Sequence, residues 1–535
     1  MIPQSSEIDC VVEATLASDH DARQTQSSAA TMRSLIAVLG LVIFADVALY
    51  SNHGYAGVAL LLMAAPCLLV AGATSIKLSP SIGVVAVALV LAALRLVWQG
   101  NFGLAAIGLM LIAAFAMSLR SLTPYLVDLA RFIMVAPYVG VKTLVVSSIH
   151  GRATAREAST FQWLSVVLPV LATSIFATIF VYANPDLRSM ISGRISLVWD
   201  DVYRWLDGFS VGQIIFWLFV SLLATGFMFS NPMPYPVLKE SVKRDSSSTS
   251  RSTLFAPIRN MLISVTALFA IYLAFEFYTL WYREFPQGFY YAGYAHAGAA
   301  WLTVALALST LVMSFAFQGD VLTDPRIGTL RRWAWVWSCL NLVLAIAVYH
   351  RLSIYIDFNG MTRMRTIGLF GVTCVVVGFI WVILKIKRER SFVWLIHRHS
   401  WTLAATVFLY LLTPVDVLVH SYNVQRILAG HLAPAVQITE HPLSDEGVLM
   451  LAPLLDCEDE LIREGIRSLL AIRQDEATAA VEEATSQGWT SFQGSTQTLK
   501  NHLDSLDPFW TRLKSDSAAR EQRYKEFKAY AFQWY

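Results

Sequence analysis

SLIAVLGLVIFADVALYSNHGYAGVALLLMAAPCLLVAGAT, residues Ser34–Thr74, holds two apolar runs with only Ser51–His53 between them. Each run is close to the ~20 residues that a helix needs to cross a bilayer core. A link this short forces an antiparallel return, so the pair reads as a transmembrane hairpin. Ile82–Trp98 and Phe102–Leu119 repeat the arrangement across Gln99–Asn101. Further runs follow at Phe161–Ala183, Val211–Ser230, Pro257–Trp281, Tyr294–Phe317, Leu330–Tyr349, Thr366–Leu384 and Trp401–His420. The expected fold is all-α: a polytopic helical membrane protein with 11 transmembrane helices and a small helical C-terminal tail.

Composition agrees with that reading. Charged residues make up 15% of the chain and apolar ones 56%, whereas a soluble domain is about a quarter charged. Lipid as solvent lets the outer face be apolar as well. A net charge of +2 gives no footing for nucleic acid. The five cysteines are scattered and form no CxxC, so neither a disulfide framework nor a zinc site is expected. The first 31 residues are polar and lack the basic start of a signal peptide. They read as a disordered cytoplasmic tail.

Pro124–Ser148 is the ambiguous run. It carries Asp128, Arg131 and Lys142, with Pro137 near its middle. A charge at the bilayer centre costs about 2.5–3.5 kcal/mol on insertion scales, so this run reads as interfacial or re-entrant. If it crosses, the count becomes 12. With it left uncrossed and the N-terminus inside, Lys and Arg favour the inside by about three to one. The C-terminus then lies outside.

The chain divides into a tail at 1–31, an N-terminal membrane half at 32–235 and a Ser-rich cytoplasmic linker at 236–256. A C-terminal membrane half at 257–420 and an extramembrane tail at 421–535 follow. The N-terminal half includes amphipathic segments at 124–148 and 190–209. The 421–535 tail has 11 Lys and Arg against 17 Asp and Glu, so it is acidic. Asp459–Ala484 and the last stretch from Trp510 read as helices.

No phosphate-binding loop, dinucleotide fingerprint, HExxH or nucleophile elbow occurs. No cofactor and no metal is expected, and no catalytic residue is assigned. His397-Arg398-His399 cannot share a helix face and reads as part of a basic cytoplasmic loop. Asp46 and Asn341 are intramembrane polar residues, more often helix–helix glue than an ion path.

The informative polar residues collect at the predicted outer ends of the C-terminal spans. They are Glu276, His296, Tyr355, Asp357, Asn359, Arg363, Arg365, Asp416, Tyr422, Asn423 and Arg426, with Arg351 and His420 nearby. Two readings stay open. In one, pairs such as Asp416–Arg363 only lock helices together. In the other, a polar pocket binds an anionic headgroup or sugar through Arg363, Arg365 and Arg426, with Glu276, His296 or Asp416 accepting hydrogen bonds or protons.

The same segments carry a resemblance. Tyr294-Ala295-His296-Ala297-Gly298, the run Tyr355–Arg365 (YIDFNGMTRMR), and Pro414-Val415-Asp416 followed by Tyr422-Asn423-Val424-Gln425-Arg426 resemble bacterial polytopic membrane proteins of the domain-of-unknown-function 4153/4173 type. Asn359-Gly360-Met361-Thr362 stands where such proteins carry Tyr-Gly-Leu-Thr. Leu443-Ser444-Asp445-Glu446 matches their Leu-Ser-x-Asp-Ala element only loosely. The likeness runs from about Pro257 to Leu455 and does not extend to the N-terminal half. It implies a bacterial inner-membrane protein and brings no activity with it. The function expected first is binding of an envelope component at the outer face, as scaffold or sensor. That component would be a glycan, a lipid headgroup or a partner protein. A transporter or flippase, and a membrane enzyme acting on a lipid-linked substrate, are the alternatives.

Overall fold

A computed structural model describes residues 32–51, 54–73, 76–150, 211–229, 252, 254–281, 291–317, 321, 324–388, 390–506, 510 and 516–534. The 1–31 tail, the Phe161–Ala183 run, the 190–209 segment and most of the Ser-rich linker lie outside the described residues. The architecture is helical throughout, with one isolated bridge between Lys77 and Arg120 among the described residues. Six helices are long and apolar enough to cross a membrane, and a bent pair, Phe392–Leu412 with Val415–Leu428, would make a seventh. That is fewer than the 11 expected over the whole chain. The chain divides into two compact units.

The first unit comprises residues 1–90, 109–124 and 129–234. Helix α1, Met32–Ser51, ends in a π-helical turn over Asp46–Ser51. The Asp46 carboxylate accepts from Ser51 Oγ at 2.7 Å, and from Gln213 Nε2 at 2.9 Å and Trp217 Nε1 at 2.7 Å. The last two lie on α6, Val211–Phe229, so Asp46 joins two helices. Helix α2, Tyr55–Gly72, closes on α1 through Gly72, where a Cβ would lie 2.8 Å from Ala37 Cβ. Helices α3, Pro80–Trp98, and α4, Phe102–Ser118, follow. Helix α5, Leu126–His150, is one continuous 25-residue helix with Pro137 inside it. It corresponds to the ambiguous run and is not among the six. It meets α6 backbone to backbone: a Cβ on Gly140 would stand 2.1 Å from the Leu222 carbonyl oxygen, and one on Gly226 2.0 Å from that of Ala136. Small residues allow this approach.

The second unit comprises residues 91–108, 125–128 and 235–535. Four long helices form its bundle: α7, Phe255–Trp281; α8, Tyr291–Ala316; α9, Ile327–Asn359; and α10, Arg363–Arg388. Leu262, Met313, Trp337 and Val382 fill one layer between them, and Leu273, Leu306, Val348 and Val372 another. Helix α9 has 33 residues, about 50 Å at 1.5 Å per residue. The Arg351–Asn359 segment, beyond the expected Leu330–Tyr349 run, forms its last turns.

Helix α11, Phe392–Leu412, begins well before the expected Trp401 start. His397-Arg398-His399 therefore lies on its second turn rather than in a loop. The Ser391 hydroxyl caps the helix by accepting from Trp394 N–H, which fixes the start there. His397 stacks on Tyr125 at 3.7 Å. The expected Trp401–His420 span is divided, because Pro414 has no N–H and disfavours helix in the residue before it. Helix α12, Val415–Leu428, leaves at 61°. Val424 and Ile427 belong to the core of the tail, so α12 packs with the tail.

The rest of the tail is α13, Ala435–Thr439; α14, Asp445–Val448; a 3-10 segment, Leu449–Asp456; α15, Glu460–Gln487; α16, Gly494–Ser505; and α17, Ser517–Phe532. Asp459 and Asp516 cap α15 and α17 by accepting from Ile462 and Ala519 N–H groups. Leu454, Ile466, Leu470, Leu499, Trp510 and Phe527 are fully buried together. Each such side chain contributes roughly 1.5–3 kcal/mol by leaving water.

Candidate functional site

The ends of α9 and α10 meet the tail in a hydrogen-bonded network. Gly360 terminates α9 at φ +83°, a conformation that costs glycine little. A Cβ there would lie 2.6 Å from Asn423 Oδ1 and 2.8 Å from Pro434 Cβ. Thr362 then starts α10, its hydroxyl accepting from Arg365 N–H at 3.2 Å. The loop backbone of Met361 is taken up by Asn423 of α12. Met361 N–H donates to Asn423 Oδ1 at 2.6 Å, and Asn423 Nδ2 donates to the Met361 carbonyl at 2.9 Å. Asn423 is fully buried.

Other contacts run beside this one. Tyr422 OH donates to Asp357 Oδ1 at 2.8 Å, and Arg426 donates to the Asp357 carbonyl at 2.9 Å. Gln437 of α13 donates to the Asn359 carbonyl at 2.9 Å. The Arg365 guanidinium lies 3.7 Å over the Tyr355 ring and donates to the Gly360 carbonyl. Arg363 grips Asp416 with two nitrogens, and Ser444 N–H donates to the same carboxylate at 3.2 Å. Burial alone would raise the Asp416 pKa, but Arg363 and Ser444 outweigh it and hold the carboxyl below the usual range. One turn on, burial pushes His420 down to about 4, aided by Arg363 and His441 and opposed by Asp416.

Nine of the 11 sequence candidates thus converge: Tyr355, Asp357, Asn359, Arg363, Arg365, Asp416, Tyr422, Asn423 and Arg426. Glu276 stands apart. It forms a buried two-toothed pair with Arg351 between α7 and α9, and Tyr272 OH donates to it at 2.9 Å. The His296 side chain lies outside the described residues. Among the described residues no three His, Cys, Asp or Glu side chains gather as a metal would need.

The sequence reading missed a further tie. Glu446 of α14 accepts from Arg95 at 2.7 and 2.6 Å, and from Trp98 Nε1 at 3.2 Å. Its neighbour Asp445 accepts from Arg473 at 3.1 Å and from Thr496 at 2.5 Å. The segment Leu443–Glu446 is therefore a hub between the tail interior, Asp416 and the end of α3. One half of its signal was legible: Arg95 is the one charge in Ile82–Trp98, and a lone Arg in an apolar run calls for a partner, although nothing local names Glu446.

Chemically, this arrangement is a fastener. Arg363, Arg365 and Arg426 each already hold an internal acceptor, so an anion would have to displace one. A helical chain with several membrane-length apolar helices and a helical tail bound to the helix ends is consistent with an integral membrane protein. The family model described as Domain of unknown function (DUF4153) matches residues 56–454, well over half of the chain. The chain belongs to that family. The match begins at Ala56, so the expectation that the likeness stops short of the N-terminal half is corrected. The polar motifs that carried it lie in the C-terminal half, whereas the N-terminal half has mostly apolar helices without such signatures. No curated protein and no solved structure matches the chain.

Proposed function

We propose that this is an 11-span bacterial inner-membrane protein whose tail is fastened to the extracytoplasmic ends of its helices. There it binds an envelope component or a partner protein, as scaffold or sensor. The observation that carries this reading is the internally paired network. Every arginine in the cluster already has an internal acceptor, and Arg363 and Arg426 bridge to the tail, which suits a fixed platform better than an open catalytic site.

Span parity supports the topology. The end of α3 (Arg95, Trp98) and the turn between α9 and α10 both bond to the same tail. The chain between them must then cross an even number of times. Crossings at α4, Phe161–Ala183, α6, α7, α8 and α9 satisfy this, and a further crossing by α5 would make the number odd. The positive-inside count gives the tail's side as the outside.

The test is complementation. A strain lacking the protein is challenged with detergent and envelope-active antibiotics, then given the full chain, a chain ending before Ser421, or Asp416→Ala. Only the full chain should restore growth. Restoration by the truncated chain contradicts the proposal.

A further inference from the structure

One corner of the tail keeps an open apolar surface beside its ties to the helix ends. A cavity of about 350 Å³ opens where α15 turns into α16, walled by Ala480, Val481, Ala484, Trp489, Phe492 and Thr496. The buried residues of α15 end at Ala477, so its last turns leave the tail core. Gly488, at φ +98°, reverses the chain into a short 3-10 turn. Trp489 is left 57% exposed and Phe492 45% exposed. Two adjacent exposed aromatics beside an apolar stripe are a liability in water and ordinary at a membrane interface.

The corner is tied to the turn between α3 and α4. Gly100 N–H donates to Gln493 Oε1, and Gln493 Nε2 donates to the Leu96 carbonyl at 3.3 Å. Ser495 Oγ donates to Gln99 Oε1 at 2.6 Å. Gly494 packs on Trp98, whose ring would lie 3.1 Å from a Cβ. Helix α3 has 19 residues, about 28 Å of helix, against a hydrocarbon core of ~30 Å. A helix that just fits the core puts Trp98 at its boundary. The corner bonded to residues 96–100 is then held at headgroup depth.

We infer that this corner is a binding site for a bilayer phospholipid, an inference that rests on the membrane-spanning reading above. The lining selects the headgroup. No Lys or Arg lines the cavity, and Glu482 and Glu483 stand exposed on the adjoining turn of α15. An anionic headgroup finds no counter-charge there. A zwitterionic, amine-bearing headgroup can set its ammonium on the Trp489 face. The Ser491 and Thr496 hydroxyls, whose protons go to Gln487 Oε1 at 3.0 Å and Asp445 Oδ2 at 2.5 Å, keep lone pairs that can accept from the same ammonium. The first methylenes of a chain then follow Ala480, Val481 and Ala484.

The experiment is site-specific photo-crosslinking of the full chain. p-Benzoyl-phenylalanine replaces Phe492, or in a second variant Trp301, which is 72% exposed on α8. Both are irradiated in nanodiscs of equal phosphatidylethanolamine and phosphatidylglycerol, and the adducts are identified by mass spectrometry. Phospholipid adducts are expected at both positions. At position 492 phosphatidylethanolamine should be enriched several-fold over its share, and Trp489→Ala in the same chain should lower that yield several-fold. Lipid at 301 but none at 492 overturns the site. Enrichment of phosphatidylglycerol at 492 overturns the headgroup assignment. Lipid at neither position overturns the membrane-spanning reading itself.

Discussion

Replacing Glu446 with alanine should loosen the tail from the end of α3. The side chains of Arg95 and Glu446 are only 14% and 4% exposed, and two bonds of 2.7 and 2.6 Å join them. Removing the carboxylate leaves a guanidinium buried without its counter-charge, which costs about 3–5 kcal/mol. The lost Trp98 bond adds little, because that residue keeps access to water. If the whole cost falls on docking, the docking equilibrium constant drops by about a thousandfold, at 1.4 kcal/mol per factor of ten. Hydrogen exchange over α14 and the 3-10 segment, in purified full-length protein, reads that change directly. The control is Arg95→Met with Glu446→Leu. An apolar replacement of a buried pair is often neutral or stabilising, so the double variant should exchange nearly as slowly as the parent. The reasoning fails if Glu446→Ala costs under about 1 kcal/mol, or if the double variant is as labile as the two single changes added together.

Three further outcomes are expected. His420 titrates near 4 when folded and near 6.5 in an unfolded chain, so only the unfolded chain gains a proton between those values; its stabilisation is complete above about pH 6.5 and falls by roughly 3 kcal/mol toward pH 4. Melting temperature against pH should show that slope, and His420→Gln should flatten it. Asn423→Ala leaves the Met361 N–H and carbonyl without their partners and should cost about 2–4 kcal/mol, seen as a lower melting temperature and protease cleavage near Gly360. Gly226→Ala sets a methyl 2.0 Å from the Ala136 carbonyl oxygen, and the helices must part at a cost of about 1–3 kcal/mol or more; a cysteine cross-link between α5 and α6 should form more slowly in that variant.

Helix existence was legible because an apolar run of membrane length has few other solutions. The beginnings of α2, α3, α4 and α7 lie within two residues of their expected places. The end of α9 was not legible. Helix α9 continues through the polar segment Arg351–Asn359 because Glu276, Tyr422 and Arg426 satisfy it, and those partners are distant in sequence. The break at Pro414 carried its own signal, overridden in the reading by the apolar run on either side. The Arg363–Asp416 pair was foreseen from its charges, and the nine converging residues from their shared helix ends. The Arg95–Glu446 pair joins residues 351 positions apart, a distance no local pattern spans.

The account turns on the side of the membrane where the tail stands. A reporter active only in the periplasm and one active only in the cytoplasm, each fused after Tyr535, measure that side. A periplasmic signal is the predicted result: it keeps the 11-span topology and puts the fastener and the aromatic corner on the extracytoplasmic face. A cytoplasmic signal would contradict the account, turning the tail toward intracellular partners and requiring an even number of spans.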